Sequence, residues 1–384
     1  MLSDDTYMRQ ALDLARQARA TCPPNPAVGC VLVAEDGRVI GQGHTQPTGQ
    51  AHAEIMALRD AAARGHVSTG ATAYVTLEPC SHHGRTGPCC DALVAAGVRR
   101  VVAAVQDPNP RVAGQGFARL RAAGVAVTLG SAAQADEVRE LNRGFFSRMT
   151  RGTPWVRMKI ACSLDGRTAL PNGVSQWITS AQAREDGHAW RARACAVLTG
   201  IGTVLQDDPQ LNVRLPGAVA RQPLLVVVDS RLQTPLQARL WRVSERHVRI
   251  YTAQQATATR GRGDTVSTRC QALQAKGAQV LALPDARGKV DLPAMLRDLA
   301  ACEVNEVHVE AGDKLNGSLL REHLVDELLL YQAPLLLGEG LGVAALGPFS
   351  ALAQGVRLEW MDTQPVGPDM RLRARVVKPG SQIA

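Results

Sequence analysis

"ATAYVTLEPCSHHGRTGPCCDALVAAGVRRVVAAV", residues 71–105, holds the pattern that decides the fold. "ATAYVTLE" reads as a strand, Pro79 to Pro88 as a loop, "CCDALVAAG" as a helix and "RRVVAAV" as a second strand. A strand followed by a helix and another strand implies a parallel pair with the helix on one face. Upstream, "CVLVAEDGRVIGQG" (30–43) reads as two strands turned at Asp36-Gly37. Helices are predicted over residues 4–20 and from His52 to Arg64. Downstream, "GFARLRAAG" and "VAVTLG" add a helix and a strand, and residues 134–150 a closing helix. The sum is a partly parallel sheet with helices on its faces.

"TRGTP" (150–154) resets the pattern, so domains are expected at 1–150 and 151–384. A chain of 384 residues is itself too long for one ordinary core. The second half alternates again, with strands at "WVRMKIACS", "CAVLT", "PLLVVVD", "HVRIYT", "AQVLALP", "EVHVEAG" and "DELLLYQAP". Helices fall at 181–192, 291–301 and 315–323, and "RLRARVVKP" is predicted as an antiparallel edge strand.

Hydrophobic residues form 45% of the chain and charged residues 20%, the balance of a soluble globular protein. No apolar run reaches the roughly 20 residues a bilayer span needs, and "MLSDDTYMRQ" is no signal peptide, so the cytoplasm is the expected compartment. Nine cysteines without an export signal suit thiols or metal ligands better than disulfides. The net charge of +8 is scattered, and aromatics are only 3%, which leaves few stacking platforms for nucleic acid. An anionic small molecule is the expected partner.

His52 and Glu54 open one predicted helix; Cys80 and Cys89 flank the loop before another. One imidazole and two thiolates give zinc three protein ligands, leaving a fourth position for water whose pKa falls to about 7. A carboxylate beside that water can move its proton to a leaving amine. The pattern His-x-Glu with Pro-Cys and a later Cys matches the zinc-deaminase signature, except that eight residues rather than two separate Cys80 from Cys89. Residues two apart on a helix diverge, so His52 and Glu54 can converge only if His52 is a cap residue outside the helix. A structural zinc would instead close its fourth position with His82, His83 or Cys90, and Glu54 would then have no role.

"PNPAVGCV", "HAE", "TLEPCSHHGRTGPCCDAL" and "QDPNPRVAGQG" together resemble the deaminase domain of the bifunctional riboflavin-biosynthesis deaminase/reductase family, whose cysteine motif carries this longer gap. "KIACSLDGRTAL", "SQWITS", "GIGTVLQDDPQLNVR", "VVVDS" and "VEAG" resemble that family's reductase domain. The resemblance implies a cytidine-deaminase-like three-layer α/β/α domain followed by a dihydrofolate-reductase-like α/β domain. It implies zinc at His52, Cys80 and Cys89, Glu54 as proton shuttle and Asn25 as a contact to the pyrimidine. The implied first step is hydrolytic deamination of 2,5-diamino-6-(5-phosphoribosylamino)pyrimidin-4(3H)-one.

In the second half, Asp165 and Gly166 stand at a strand end, where ligands of α/β sheets gather. "VEAGDKLNGSLL" (309–320) is a strand, a glycine-containing loop and a helix, whose first amides suit a dinucleotide phosphate. It is neither the three-glycine fingerprint nor a P-loop. The resemblance makes it part of an NADPH site with Ala161, Trp177, Thr203, Asp207, Ser230, Gly312, Asp313, Lys314, Leu315, Asn316, Gly317 and Ser318. It places substrate at Ser175, Arg191, Leu211, Arg214 and Glu310, with an arginine fork for the phosphate. The family often has small residues where this chain has Asp313 and Lys314; Lys314 would favour a phosphate and Asp313 oppose it. The implied product is 5-amino-6-(5-phosphoribitylamino)uracil, with hydride delivered after the sugar opens to an imine. The sequence offers no evident acid for that opening; His188, His308 and His323 read as structural, and Trp177 could instead be core.

A homo-oligomer without nucleic-acid or membrane partners is expected. The competing readings are a nucleic-acid base deaminase with an accessory domain and a non-catalytic zinc module.

Overall fold

The computed structural model describes residues 3–82, 87–215, 221–255, 259–260 and 264–378. They form two units, Met1–Thr153 and Pro154–Ala384, each with its own sheets. The first begins with α1 (Asp4–Ala18), β1 (Gly29–Val33), β2 (Val39–His44) and α2 (Ala53–Ala63). It continues through β3 (Thr72–Val75), α3 (Cys89–Ala95), β4 (Arg100–Ala103), α4 (Gln115–Ala122) and β5 (Ala126–Leu129). The helices α5 (Ala132–Leu141) and α6 (Arg143–Arg151) close it. Sheet order is β2-β1-β3-β4-β5; β1 pairs antiparallel with β2 and β3, while β3, β4 and β5 are parallel.

Glycines let helices press onto both faces of this sheet. A Cβ on Gly29 would lie 1.9 Å from the Ala11 carbonyl oxygen, and one on Gly41 2.3 Å from that of Ala57. Opposed residues of an antiparallel pair share a face, so Gly41 and Gly43 lie with Leu32 and Cys30, and Gly29 with His44. Helices α1 and α2 therefore cover opposite faces, giving the expected three layers. The stripe Met8, Ala11, Leu12 and Ala15 of α1 is buried in the core.

One helix predicted over 134–150 is in fact two. They meet at Asn142, a buried residue whose amide grips the Ala27 backbone, accepting from its N–H at 2.7 Å and donating to its carbonyl at 3.0 Å. Those bonds fix the loop carrying Asn25 and leave Asn142 with φ −110° and ψ 23°, outside helical geometry.

The second unit contains β6 (Trp155–Ser163), β7 (Arg167–Ala169), α7 (Ala181–Arg193), β8 (Ala196–Gly200), α8 (Ile201–Asp207) and β9 (Leu224–Val228). It proceeds through β10 (Val248–Thr252), the short pair β11 (Thr259–Arg260) and β12 (Asp264–Thr265), α9 (Val266–Ala275) and β13 (Ala278–Ala282). It finishes with α10 (Leu292–Ala301), β14 (Glu306–Val309), α11 (Asp313–Arg321), β15 (Glu327–Ala333), β16 (Leu341–Gly342), β17 (Leu358–Val366) and β18 (Asp369–Val376). The main sheet runs β13-β10-β9-β8-β14-β6-β15-β18-β17, parallel up to β15 and antiparallel beyond. The predicted edge strand β18 is thus second from the edge. β17 lies outside it, unrecognised in sequence because it is mostly exposed and lacks a clean apolar alternation. Helix α8 was missed as well, being a seven-residue segment with one glycine and three β-branched residues.

Asn142→Ala should cost the first unit about 2 kcal/mol, because two buried backbone groups of Ala27 lose their partner. Urea unfolding checks this; the denaturant slope should stay unchanged.

Candidate metal centre and reductase cleft

His52 is the residue before α2, with φ −77° and ψ 168°, so its ring leaves the helix axis while Glu54 sits in the first turn. This answers the geometric objection to a His-x-Glu pair. Cys80 follows β3, and Cys89 is the first residue of α3. The His52 Nδ1 lies 3.6 Å from the Cys80 Sγ and 3.3 Å from the Cys89 Sγ. Tetrahedral zinc bonded at ordinary lengths separates such ligand atoms by about 3.6 Å, so the donor set fits zinc. All three atoms lie within 4.8 Å of one another, and among the described residues no fourth ligand joins them. Cys90 turns its thiol to Asp91 at 3.7 Å. His83 lies outside the described residues.

Cys80 and the start of α3 are tied together. Cys80 Sγ accepts the Cys89 N–H at 3.3 Å, and its carbonyl accepts the Cys90 N–H at 3.2 Å. Cys80 is drawn down to about 4, first by Cys89 and then by the His52 ring, and the Cys89 thiol is pushed up by the same contact. Glu54 is 4% exposed and within hydrogen-bonding reach of the Cys89 sulfur. Burial, with the neighbouring Cys80, raises its carboxyl to about 7, the range where a shuttle can both take and give a proton at neutral pH. Asn25 lies in the loop tied down by Asn142, and its side chain has no hydrogen-bond partner among the described residues.

Sequence reasoning gave no role to Glu78, which is 3% exposed and binds three backbone amides of residues 107–117. Its only sequence signal is its place directly before Pro79-Cys80.

In the second unit a cavity of about 1280 Å³ opens at the carboxyl ends of β6, β8, β9 and β14, the usual ligand position in such sheets. Of the expected cofactor residues, Ala161, Trp177, Thr203 and Asp207 line it, as do Gly312 to Asn316. Ser230, Gly317 and Ser318 do not. The Ser230 hydroxyl accepts the Val290 N–H at 3.2 Å, a Cβ on Gly317 would meet the Ala345 carbonyl, and Ser318 Oγ donates to the Lys314 carbonyl at 3.1 Å. Trp177 is 68% exposed with the Arg184 guanidinium 4.4 Å from its ring centre, which excludes a core role. The first turn of α11 faces the cavity without a capping side chain, which fits a dinucleotide phosphate.

The expected substrate residues Ser175, Arg191, Leu211, Arg214 and Glu310 all line the same cavity. The fork of Arg191 is turned on Glu310, at 2.6 and 2.9 Å, rather than left open for a phosphate. Burial acts to raise the Glu310 carboxyl, but Arg191 and Lys159 outweigh it and keep it well below the usual range. Lys159, a lining residue absent from the sequence-based set, is held down by burial. Asp165 is engaged elsewhere: it accepts from Ser163 Oγ and from the Leu337 and Gly338 amides. His188, read as structural in the sequence, lines the cavity too, its Nδ1 accepting the Arg214 N–H at 3.3 Å.

Together these features define a zinc-dependent deaminase joined to a nicotinamide-dependent reductase. The cytidine and deoxycytidylate deaminase zinc-binding region matches residues 1–105, and the RibD C-terminal domain matches residues 154–372. The chain is 44% identical to the riboflavin biosynthesis protein RibD of Escherichia coli, over 97% of this chain and 99% of that one. RibD of Acinetobacter baumannii, form 1, superposes with TM-score 0.86 at 39% identity, covering 98% and 99% of the two chains. The Thermotoga maritima diaminohydroxyphosphoribosylaminopyrimidine deaminase/5-amino-6-(5-phosphoribosylamino)uracil reductase gives 0.83 at 31%, covering 97% and 99%. The chain belongs to the RibD family of bifunctional riboflavin-biosynthesis enzymes, with a cytidine-deaminase-like domain preceding a dihydrofolate-reductase-like one. It is a zinc-dependent deaminase and an NADPH-dependent reductase in riboflavin biosynthesis. Among the described residues, no helix is long and apolar enough to cross a membrane.

Cys89→Ser should lower bound zinc well below the about one ion per chain that a three-ligand site holds, whereas Cys90→Ser should keep it; metal analysis after dialysis decides. A second measurement concerns His308, fully buried on β14 and pulled down to about 3 by that burial. The unfolded chain takes up this proton near 6.5 and the folded chain only near about 3, so stability is full above the first value and falls with pH below it. Between pH 7 and pH 5 the wild type should lose about 2 kcal/mol more than His308→Leu, measured by urea unfolding.

Proposed function

We propose that the first unit removes the exocyclic amine of 2,5-diamino-6-(5-phosphoribosylamino)pyrimidin-4(3H)-one, and that the second reduces the ribosyl group of the deaminated product to a ribityl chain. The observation that carries the first half is the meeting of a buried carboxyl, Glu54, with His52, Cys80 and Cys89. Zinc held by those three residues supplies a water-derived nucleophile at neutral pH. Glu54 takes the proton released at that position and delivers it to the departing amine, which leaves as ammonia. Burial holds Glu54 near the working pH and keeps bulk water from intercepting the proton. Asn25, from the loop fixed by Asn142, orients the pyrimidine.

In the cleft, Ala161, Trp177, Thr203, Asp207 and the first turn of α11 hold NADPH, which supplies the hydride. With the Arg191 fork committed to Glu310, the substrate phosphate falls to Arg214, whose exposed guanidinium is steadied by Asn212 Oδ1 at 2.6 Å. Glu310, charged and flanked by Arg191 and Lys159, fixes the sugar end of the substrate between its own carboxylate and Ser175. Asp313 and Lys314 both face the cavity, and Lys314 is the one whose charge assists an anionic cofactor. The partner is a small phosphorylated pyrimidine and not nucleic acid. The chain works in the cytoplasm as a homo-oligomer; the exposed Leu358 and Trp360 on the outermost strand β17 support the self-association.

Glu54→Gln should keep zinc and fold while ammonia release drops by about a thousandfold. NADPH oxidation on supplied deaminated intermediate should continue at the parental rate. Ammonia release by the variant at the parental rate would remove Glu54 from the mechanism. Parental enzyme that frees no ammonia from the diaminopyrimidine would remove the substrate assignment.

A further inference from the structure

The segment from Asp107 to Phe117 joins β4 to α4 and has no regular structure before the helix. Its helix has an unusual start: the cap position is Gly114, with φ +89° and no side chain to satisfy the first amides. Glu78 does that work from just beyond the carboxyl end of β3, the parallel neighbour of β4. Its Oε2 accepts the Gly114 N–H at 2.9 Å and the Asp107 N–H at 3.2 Å, and its Oε1 accepts the Phe117 N–H at 3.2 Å. A carboxylate at a helix N-terminus also meets the favourable end of the dipole, and such charge-assisted bonds are among the stronger ones.

The same residue begins the metal-ligand loop. The Glu78 N–H donates to the Val105 carbonyl at 3.0 Å, its next neighbour but one is the zinc ligand Cys80, and Pro79 rests directly on the capped helix. A Cβ on Gly116 would lie 2.1 Å from the Pro79 carbonyl oxygen, so the two loops touch backbone to backbone. Asp107, 7% exposed, is buried close enough to the ligand group for the Cys80 sulfur to act on its carboxyl.

We propose that Glu78 is a positioning residue for deamination, whose carboxylate locks the 107–117 segment to the Pro79–Cys80 backbone so that the segment keeps one geometry beside the metal ligands, which hold zinc without it. The role rests on the deaminase reading above and is exerted through backbone amides. A cap that served helix stability alone would leave substrate recognition untouched; one that registers two loops against each other controls it.

The experiment compares Glu78→Gln with Ser131→Ala, which removes the side-chain cap of α5 in the same unit. Glutamine keeps the shape but offers one acceptor oxygen, and places an N–H donor against at least one of the three amides. Glu78→Gln should retain zinc and the parental rate of NADPH oxidation on deaminated intermediate, while KM for the diaminopyrimidine rises about tenfold or more and kcat changes less. Amide exchange should speed up at Asp107, Gly114 and Phe117 and stay parental at Ala73 and Val101. Glu78→Asp, which keeps the charge and loses the reach, should show the same KM rise. Zinc loss in Glu78→Gln, a parental KM, or an equal KM rise in Ser131→Ala each overturns the proposal. A parental enzyme inactive on this substrate refutes the functional reading instead, and the exchange pattern then still decides whether Glu78 fixes the segment.

Discussion

The metal centre depends on a helix that begins one residue too late to include its own ligand. Because His52 keeps extended dihedrals, its ring reaches the two sulfurs while Glu54, already helical, turns into the same space. Two residues apart inside a helix could not do this. Around that point the unit supplies close-packed glycines under α2, a second helix terminus presenting Cys89, and the buried Glu78 carboxylate, which accepts from the amides of Asp107, Gly114 and Phe117. Burial that would be costly for an unpaired carboxyl here tunes Glu54 to neutral pH.

The two units solve different electrostatic problems. The deaminase half gathers donors that lose protons to a cation. The reductase half must receive anions, and its cavity answers with Lys159, Arg191 and Arg214 around one carboxylate. Arg191 and Glu310 neutralise each other at close range, which offsets the cost of burying either charge. Arg157 repeats the arrangement deeper in the sheet, fully buried between Glu306 at 3.0 Å and Glu327 at 3.2 Å, with the Trp190 ring 4.7 Å away.

Much of this was legible in the sequence because the signals were local. Alternation and turn residues located β1, β2 and the parallel strands. The ligand trio was legible because its residue types have few other reasons to stand together. What escaped was set by contacts between distant segments. Asn142 breaks a helix only because Ala27 lies against it. Glu78 looks like any charged residue before a proline until the amides it serves arrive from beyond β4. The Arg191 fork reads as a phosphate clamp until Glu310, on another strand, occupies it. Strand β17 was hidden because an exposed strand in a mixed sheet has no reason to alternate.

The bare glycines of the hairpin carry one more implication. Gly41 and Gly43 let α2 ride so low on the sheet that a methyl group on either would strike Ala57 or Met56. The helix would have to lift, and its leading end would rise with it, drawing the imidazole and the carboxyl off the sulfurs. Ion affinity is thereby geared to the thickness of a turnless stretch of backbone that never meets the ion.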